Sequence, residues 1–147
     1  MLQGPGQRFE ILLVEDNPGD AFLTKEALRE SRFLHRLSIV EDGEEAMQFL
    51  RRQGNYGEAP RPDLILLDLN LPKMDGRELL AEIKEDSHLR HIPVIVLTTS
   101  DARQDIWGAY KLHANCYLTK PIQMDDFLQK IRSVEDFWLT VVRLPSN

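Results

Sequence analysis

Five short apolar runs, alternating with stretches of helical periodicity, are the feature that most limits how this chain can fold. The runs occupy residues 9–14, 36–40, 64–68, 94–98 and 115–119, and they are apolar on both faces. Strands of this kind need helices on both sides of their sheet. The pattern predicts an α/β fold with a doubly wound, five-stranded parallel sheet, in which ligands bind beyond the carboxyl ends of the strands.

The stretches between the runs predict connecting helices. Pro18 suits the first position of the first helix, and Pro93 enters the fourth strand, where a missing N–H is tolerated. The second helix is expected to run from Glu44 to a stop at Gly54. The residues expected to face inward are Ala21, Thr24, Ala27 and Leu28 in the first helix, Ala46, Phe49 and Leu50 in the second, Leu79, Leu80 and Ile83 in the third, and Ile106, Ala109 and Tyr110 in the fourth.

Length and composition predict one acidic domain. The chain has 147 residues, a net charge of -6 and one cysteine, so no disulfide can form within it. The lone thiol argues against a structural zinc site and favours a reducing compartment, while the acidic balance argues against nucleic-acid binding. No apolar run approaches the ~20 residues of a membrane span, and the N-terminus lacks an export signal. We therefore expect a cytoplasmic protein that binds neither membrane nor nucleic acid.

Polar residues follow four of the predicted strands at their carboxyl ends. These residues are Glu15 and Asp16 after the first strand, Asp68 at the end of the third, Thr98 to Ser100 after the fourth, and Thr119 to Pro121 after the fifth. Taken alone, Asp68 fits a helix cap and Thr98 an ordinary strand position. Because the carboxyl ends of parallel strands meet at one edge, however, the set predicts a single site.

The residue types at this edge indicate phosphoryl chemistry. Three neighbouring carboxylates repel one another unless a hard cation joins them, and Mg²⁺ binds a few carboxylates while keeping several waters. Lys120 adds a second positive charge. Asp68 is a competent nucleophile, so an acyl phosphate on Asp68 is the simplest product. Mg²⁺ and Lys120 would neutralise the phosphoryl oxygens, and Thr98 would donate a hydrogen bond to one of them.

Four ordered motifs, at residues 12–16, 66–76, 96–99 and 117–121, resemble those of receiver domains in two-component response regulators of the CheY type. The resemblance covers residues 8–133 and implies a flavodoxin-like receiver domain, with 134–147 as a C-terminal extension. By the family's pattern, Asp68 accepts phosphate from a phosphohistidine on a sensor kinase. The same pattern implies a Mg²⁺ site made by Glu15, Asp16, Asp68 and the main-chain carbonyl of Asn70. Glu15 departs from the aspartate that many receivers carry, but its longer arm still reaches a metal-bound water.

The resemblance also assigns the remaining residues of the site. Thr98 and Lys120 bind the phosphoryl group, and Tyr117 is the aromatic residue whose rotamer follows Thr98. The bond between Lys120 and Pro121 is expected to be cis. Phosphorylation would then shift the population between two packings of this face. A protein of this kind catalyses only its own phosphorylation and slow dephosphorylation.

A narrower resemblance concerns the loop at 54–62, the stretch 112–117 and the tail 133–145. These segments are similar to the small single-domain regulators that serve bacterial phytochromes. The likeness implies a light-sensing histidine kinase as the phosphodonor and a homodimer built partly by the C-terminal extension. Since no output domain is expected after the receiver, the signal would pass by contact with an unknown target protein.

The last predicted helix is longer than a five-stranded sheet requires. Its apolar period runs from Met124 beyond residue 140, and the candidates for dimer contacts are Phe137, Trp138, Val141 and Val142. The tail could instead fold back as extra core. Among other residues, the four histidines fit surface or capping positions, Cys116 fits the core, and Trp107 and Tyr110 fit either packing or a partner contact.

Three other functions compete with this interpretation. A phosphatase of the haloacid-dehalogenase type expects a second aspartate two residues after the nucleophile, where this chain has Asn70. A nucleotide or flavin module needs a glycine-rich cradle after the first strand, where Glu15 and Asp16 place negative charge. A receiver that docks without phosphorylation would not need the complete residue set.

Overall fold

A computed structural model describes residues 9–30, 35–71, 74–98, 116–120, 123, 125, 126 and 129. These residues contain a five-stranded sheet with the order β2-β1-β3-β4-β5, and every pair of neighbouring strands is parallel. The strands are β1 Phe9–Val14, β2 His35–Val40, β3 Leu64–Asp68, β4 Val94–Thr98 and β5 Cys116–Thr119. The predicted fold is confirmed, and β2 begins one residue earlier than expected.

Three helices of the described part connect these strands: α1 Pro18–Glu30, α2 Gly43–Arg51 and α3 Gly76–Glu85. Helix α1 begins at Pro18, as predicted. Helix α2 ends before the predicted stop at Gly54, because Arg52 adopts a left-handed conformation with φ 54 and closes the helix. The predicted loop at 54–62 opens with a short 3₁₀ helix, Gly54–Tyr56.

The sheet divides the hydrophobic core into two clusters because successive side chains of a strand point to opposite faces. Leu12, Val14, Ile65 and Leu67 pack on one side, where α2 and α3 supply further apolar residues. Ile11, Leu13, Leu64 and Leu66 pack on the other side, together with Ala21 and Leu28 of α1. All of β3 is buried, as a central strand covered on both faces should be.

Most of the predicted inward positions are confirmed. Ala21, Thr24 and Leu28 of α1 are buried, whereas Ala27 is half-buried. The marker residues of the fourth predicted helix, residue Pro121, and the dimer candidates Phe137, Trp138, Val141 and Val142 lie outside the described residues. Within the described ranges, no helix combines the length and apolarity needed to cross a membrane.

Candidate functional site

The pairing of β1 with β3 places two carboxylates at one edge of the sheet. Val14 of β1 lies opposite Leu67 of β3, so the next residues, Glu15 and Asp68, emerge side by side. Both are buried, with exposed fractions of 1% and 3%. The N–H of Glu15 donates to the carbonyl of Val40 at 3.0 Å and fixes the backbone at the point where β1 ends. The predicted convergence of these two residues therefore follows from strand register.

Lys120 follows β5 and reaches across the carboxyl edge to three carboxylates. Its Nζ lies 2.7 Å from Glu15 Oε1, 2.8 Å from Asp20 Oδ2 and 3.0 Å from Asp68 Oδ2. An ammonium group has three N–H donors, so each donor has a carboxylate acceptor. The lysine side chain is only 8% exposed, which makes these charge-assisted bonds the main compensation for its lost hydration.

Burial and the lysine act in opposite directions on the carboxyl group of Glu15. Burial raises the pKa of Glu15 most, the hydrogen bond from Lys120 lowers it, and neighbouring Asp68 raises it again, so that the pKa lies at about 7. For Lys120, burial alone would lower the pKa, but Asp20, Glu15 and Asp68 together hold it above its ordinary value. Lys120 is therefore a stable ammonium group at neutral pH, and it offsets part of the negative charge at this edge.

Glu15, Asp16 and Asp68 also form a group of possible metal ligands. One oxygen atom from each lies within 4.8 Å of the others, with Asp16 exposed to solvent and the other two buried. Hard divalent cations prefer such oxygen donors, and the exposed side of the group leaves room for metal-bound water. The residues present at this edge therefore fit a hard divalent cation.

The loop after β3 orients the Asp68 carboxylate. Its Oδ1 accepts a hydrogen bond from the Asn70 N–H at 2.9 Å, while Oδ2 accepts from Lys120. Gly76, which begins α3, approaches this loop so closely that a Cβ there would lie 2.5 Å from the carbonyl oxygen of Asp68. Asp75 caps α3 by accepting from the Arg77 N–H at 2.7 Å. The side chain of Asp68 is thus held by the Asn70 N–H and by Lys120, while its backbone packs against the start of α3.

Thr98 and Tyr117 lie on the two strands beyond β3. Thr98 ends β4 and pairs with Thr119, the residue before Lys120, while Tyr117 pairs with Val96. Tyr117 is half-buried and packs against the core cluster on the α2 and α3 side. The backbone positions agree with the predicted set, and the proposed roles of Thr98, Tyr117 and the Asn70 carbonyl stay predictions. Pro121 lies outside the described residues.

Asp20 is a site residue that the sequence analysis missed. It lies in the first turn of α1, where an acidic residue is already explained by the helix dipole. Its side chain is 35% exposed, and its carboxylate binds the buried ammonium of Lys120. The usable signal was that α1 begins directly after Glu15 and Asp16, because its first turn must then lie at the same edge of the sheet.

A doubly wound parallel sheet with an aspartate at the end of the third strand, an acidic pair after the first and a lysine after the fifth defines the receiver class of signalling domain. A family model described as "Response regulator receiver domain" matches residues 11–132. The chain therefore belongs to the response regulator receiver family, as the sequence motifs predicted.

Relatives of known structure extend the comparison. The chain is 53% identical to response regulator Rcp1 of Synechocystis sp. over 136 residues, which is 92% of each chain. A crystal structure of the phosphorylated cyanobacterial phytochrome response regulator RcpA is 52% identical, with a TM-score of 0.77, and the match covers 95% of this chain and 99% of that one. The Mn(2+)-bound form of Rcp1 has a TM-score of 0.74 and 53% identity, with coverage of 92% and 98%. The chain is thus related to phytochrome response regulators.

Proposed function

We propose that this protein accepts a phosphoryl group on Asp68 from the phosphohistidine of a sensor histidine kinase. The observation that carries the proposal is the buried Asp68 carboxylate, bonded to Lys120 at 3.0 Å and placed within the acidic group of Glu15 and Asp16. Phosphoryl transfer needs positioning and charge neutralisation more than covalent help from the protein, and this edge supplies both.

In the proposed reaction, an oxygen of Asp68 attacks phosphorus while the bond from phosphorus to the histidine nitrogen breaks. The products are an acyl phosphate on Asp68 and a free imidazole on the kinase. Lys120 places its positive charge beside the phosphoryl oxygens, and Thr98 donates a hydrogen bond to one of them. Glu15, Asp16, Asp68 and the carbonyl of Asn70 would hold Mg²⁺, which supplies further charge neutralisation when bound.

We assign the phosphodonor to the phytochrome class of histidine kinases and the site of action to the cytoplasm. Support comes from the high identity to Rcp1 and to RcpA, the latter described as a phytochrome response regulator. The proposal divides the chain into a receiver domain at 8–133 and an extension at 134–147 that contributes to a homodimer. Phosphorylation shifts the packing of the Thr98 and Tyr117 face, and the signal passes to a target protein by contact.

The direct test is Asp68→Asn, treated with acetyl phosphate and Mg²⁺ or with a phosphorylated phytochrome kinase. Intact mass should rise by one phosphoryl group in the natural protein and stay unchanged in the variant. Asp63→Asn is the matched control, because it makes the same change at the opposite end of β3 and should still be phosphorylated. Phosphate uptake by Asp68→Asn would overturn the acceptor assignment, and steady turnover of a small phosphate ester would favour a phosphatase instead.

A further inference from the structure

We propose that Asp20 is a positioning residue for Lys120. Its carboxylate keeps the Lys120 ammonium group beside Asp68 when Glu15 binds a metal ion and Asp68 binds a metal ion or a phosphoryl group. This inference rests on the proposed function, and it assigns a role to a carboxylate that the receiver motifs do not include. The ammonium group has three carboxylate partners, and they differ in whether they can stay bound to it through the reaction.

All three N–H donors of Lys120 are occupied before any ligand arrives. The acceptors are Glu15, Asp20 and Asp68, at distances of 2.7, 2.8 and 3.0 Å from Nζ. A phosphoryl oxygen that binds Lys120 must therefore replace one of these carboxylates. Since the Lys120 side chain is only 8% exposed, its ammonium group has little access to water, and the remaining bonds decide where it lies.

Glu15 and Asp68 can each bind a second partner, and this weakens their hydrogen bonds to Lys120. Both belong to the group of possible metal ligands, whose oxygen atoms lie within 4.8 Å of one another. The carboxyl group of Asp68 also loses its negative charge when one of its oxygens becomes the oxygen that bridges carbon and phosphorus in the acyl phosphate. Among the described residues, that ligand group consists of Glu15, Asp16 and Asp68, so Asp20 has no such competing demand.

The local structure makes Asp20 a firm anchor. Its N–H donates to Asn17 Oδ1 at 2.9 Å, and the N–H of Ala21 donates to the Asn17 carbonyl at 2.9 Å. These two bonds fix the first turn of α1, and the positive end of the helix dipole favours a carboxylate there. The bond between Asp20 and Lys120 therefore joins the start of α1 to the end of β5, and it keeps the lysine from competing with a cation for Glu15 and Asp68.

The test measures Mg²⁺ binding to the full chain by isothermal titration calorimetry, without a phosphodonor. Asp20→Asn should raise the dissociation constant roughly tenfold, as expected when one charge-assisted hydrogen bond is lost. The matched control is Glu41→Gln, which removes the same charge from an exposed residue after β2 at the same edge. Glu41→Gln should change the constant by no more than about twofold. Asp20→Glu, which keeps the charge, should recover most of the affinity.

A double-mutant cycle shows whether Asp20 affects Mg²⁺ affinity by positioning Lys120 or only through its own negative charge. In a Lys120→Met background, Asp20→Asn should have no larger effect than Glu41→Gln, because the lysine through which Asp20 acts is gone. An equal effect of Asp20→Asn in both backgrounds would overturn the proposal, as would an effect no larger than that of Glu41→Gln in the natural background.

A second measurement covers the case in which Lys120→Met does not fold. In the Mg²⁺-saturated protein, the ¹⁵N signal of the Lys120 ammonium group should be protected from solvent exchange, and Asp20→Asn should remove that protection. Unchanged protection would contradict the anchoring role. Failure of the proposed function is recognised separately, because it would appear as no phosphorylation of Asp68 in the natural protein whatever the Mg²⁺ affinities are.

Discussion

Acidic residues lie at both ends of strands β1 and β3, and they have different partners at the two ends. At the amino edge, the Glu10 N–H donates to Asp63 Oδ2 at 2.8 Å, and the Asp63 N–H donates to the Glu10 carbonyl at 2.7 Å. At the carboxyl edge, Glu15 and Asp68 instead share the ammonium of Lys120. At the amino edge one carboxylate, that of Asp63, thus binds the backbone of β1, whereas at the carboxyl edge two carboxylates form a charged site with Lys120.

The difference lies in what satisfies each carboxylate. Burial raises the pKa of Asp63, and the hydrogen bond from the Glu10 backbone together with the charge of Arg61 lowers it. That backbone bond cannot be exchanged without disturbing the sheet. At the carboxyl edge the partner is a side-chain cation with three acceptors, so a metal ion or a phosphoryl group can replace one partner while the strands keep their pairing. The carboxyl edge is therefore the end of the sheet where ligands can exchange.

Lys120→Met is expected to have the largest effect, because it removes the cation and leaves the carboxylates of the site. Because Glu15 and Asp68 are buried, the free energy of unfolding at neutral pH in EDTA should fall by about 3 to 5 kcal/mol. Mg²⁺ should restore part of the loss, since it neutralises the same carboxylates. Urea unfolding with and without Mg²⁺ measures both effects.

Lys84→Met is the matched control for that experiment. Lys84 is another partly buried lysine, and it donates to the carbonyls of Arg90 and Ile92 at 3.3 and 3.2 Å. Its loss should destabilise the protein by about 1 to 2 kcal/mol, with no recovery in Mg²⁺. Equal recovery in the two variants would show that Mg²⁺ stabilises the fold without acting on the acidic site.

Gly76→Ala tests how tightly the carboxyl edge is built. A Cβ at Gly76 would lie 2.5 Å from the Asp68 carbonyl oxygen and 2.6 Å from the Leu69 Cα, both of which are backbone atoms. We expect a loss of about 1 to 3 kcal/mol in the free energy of unfolding, with weaker phosphorylation of Asp68 because the loop must shift. Gly57→Ala provides the contrast, since no atom lies within 4 Å of a Cβ there. Similar stability of the two variants would contradict the close approach.

The sequence predicted the parts of this edge that depend on strand order. Apolar runs located β1 and β3, and parallel pairing then brought Glu15 and Asp68 together. Asp20 was not predicted as a site residue because its contact with Lys120 depends on how the first turn of α1 lies against the end of β5. An acidic residue in a first turn is also already explained by the helix dipole. The end of α2 was misplaced for a similar reason: Gly54 is the usual kind of helix terminator, but Arg52 takes the left-handed position.

Asp63→Asn tests the role of the carboxylate at the amino edge of the sheet. The variant keeps an oxygen acceptor but replaces a carboxylate by a weaker amide partner for the Glu10 N–H. The free energy of unfolding should fall by about 1 kcal/mol, while the Mg²⁺ dissociation constant stays the same. Urea unfolding and calorimetry measure the two quantities. A changed Mg²⁺ affinity would mean that the two edges of the sheet are coupled through β3.

Tyr56→Phe is expected to have the smallest effect, because it removes one neutral donor from the Glu45 carboxylate, which also accepts from the Glu41 N–H at 2.9 Å. The Tyr56 hydroxyl donates to Glu45 Oε2, and its ring lies 5.3 Å from that of Phe49, centroid to centroid. Loss of the hydroxyl should lower the free energy of unfolding by about 0.5 kcal/mol near neutral pH and leave Mg²⁺ binding unchanged.

The pH dependence of the loss in stability tests whether the Tyr56 hydroxyl is hydrogen-bonded to Glu45. The hydrogen bond to Glu45 raises the pKa of Tyr56 from 10.0 to about 12 in the folded protein. A group whose pKa is raised by folding stabilises the protein fully below its unfolded pKa and loses that contribution as pH rises to its folded pKa. The difference between the natural protein and Tyr56→Phe should therefore be constant below pH 10.0 and shrink toward about pH 12. Urea unfolding across this range measures the difference, and a gap that stays constant would show that the hydroxyl does not bind the carboxylate.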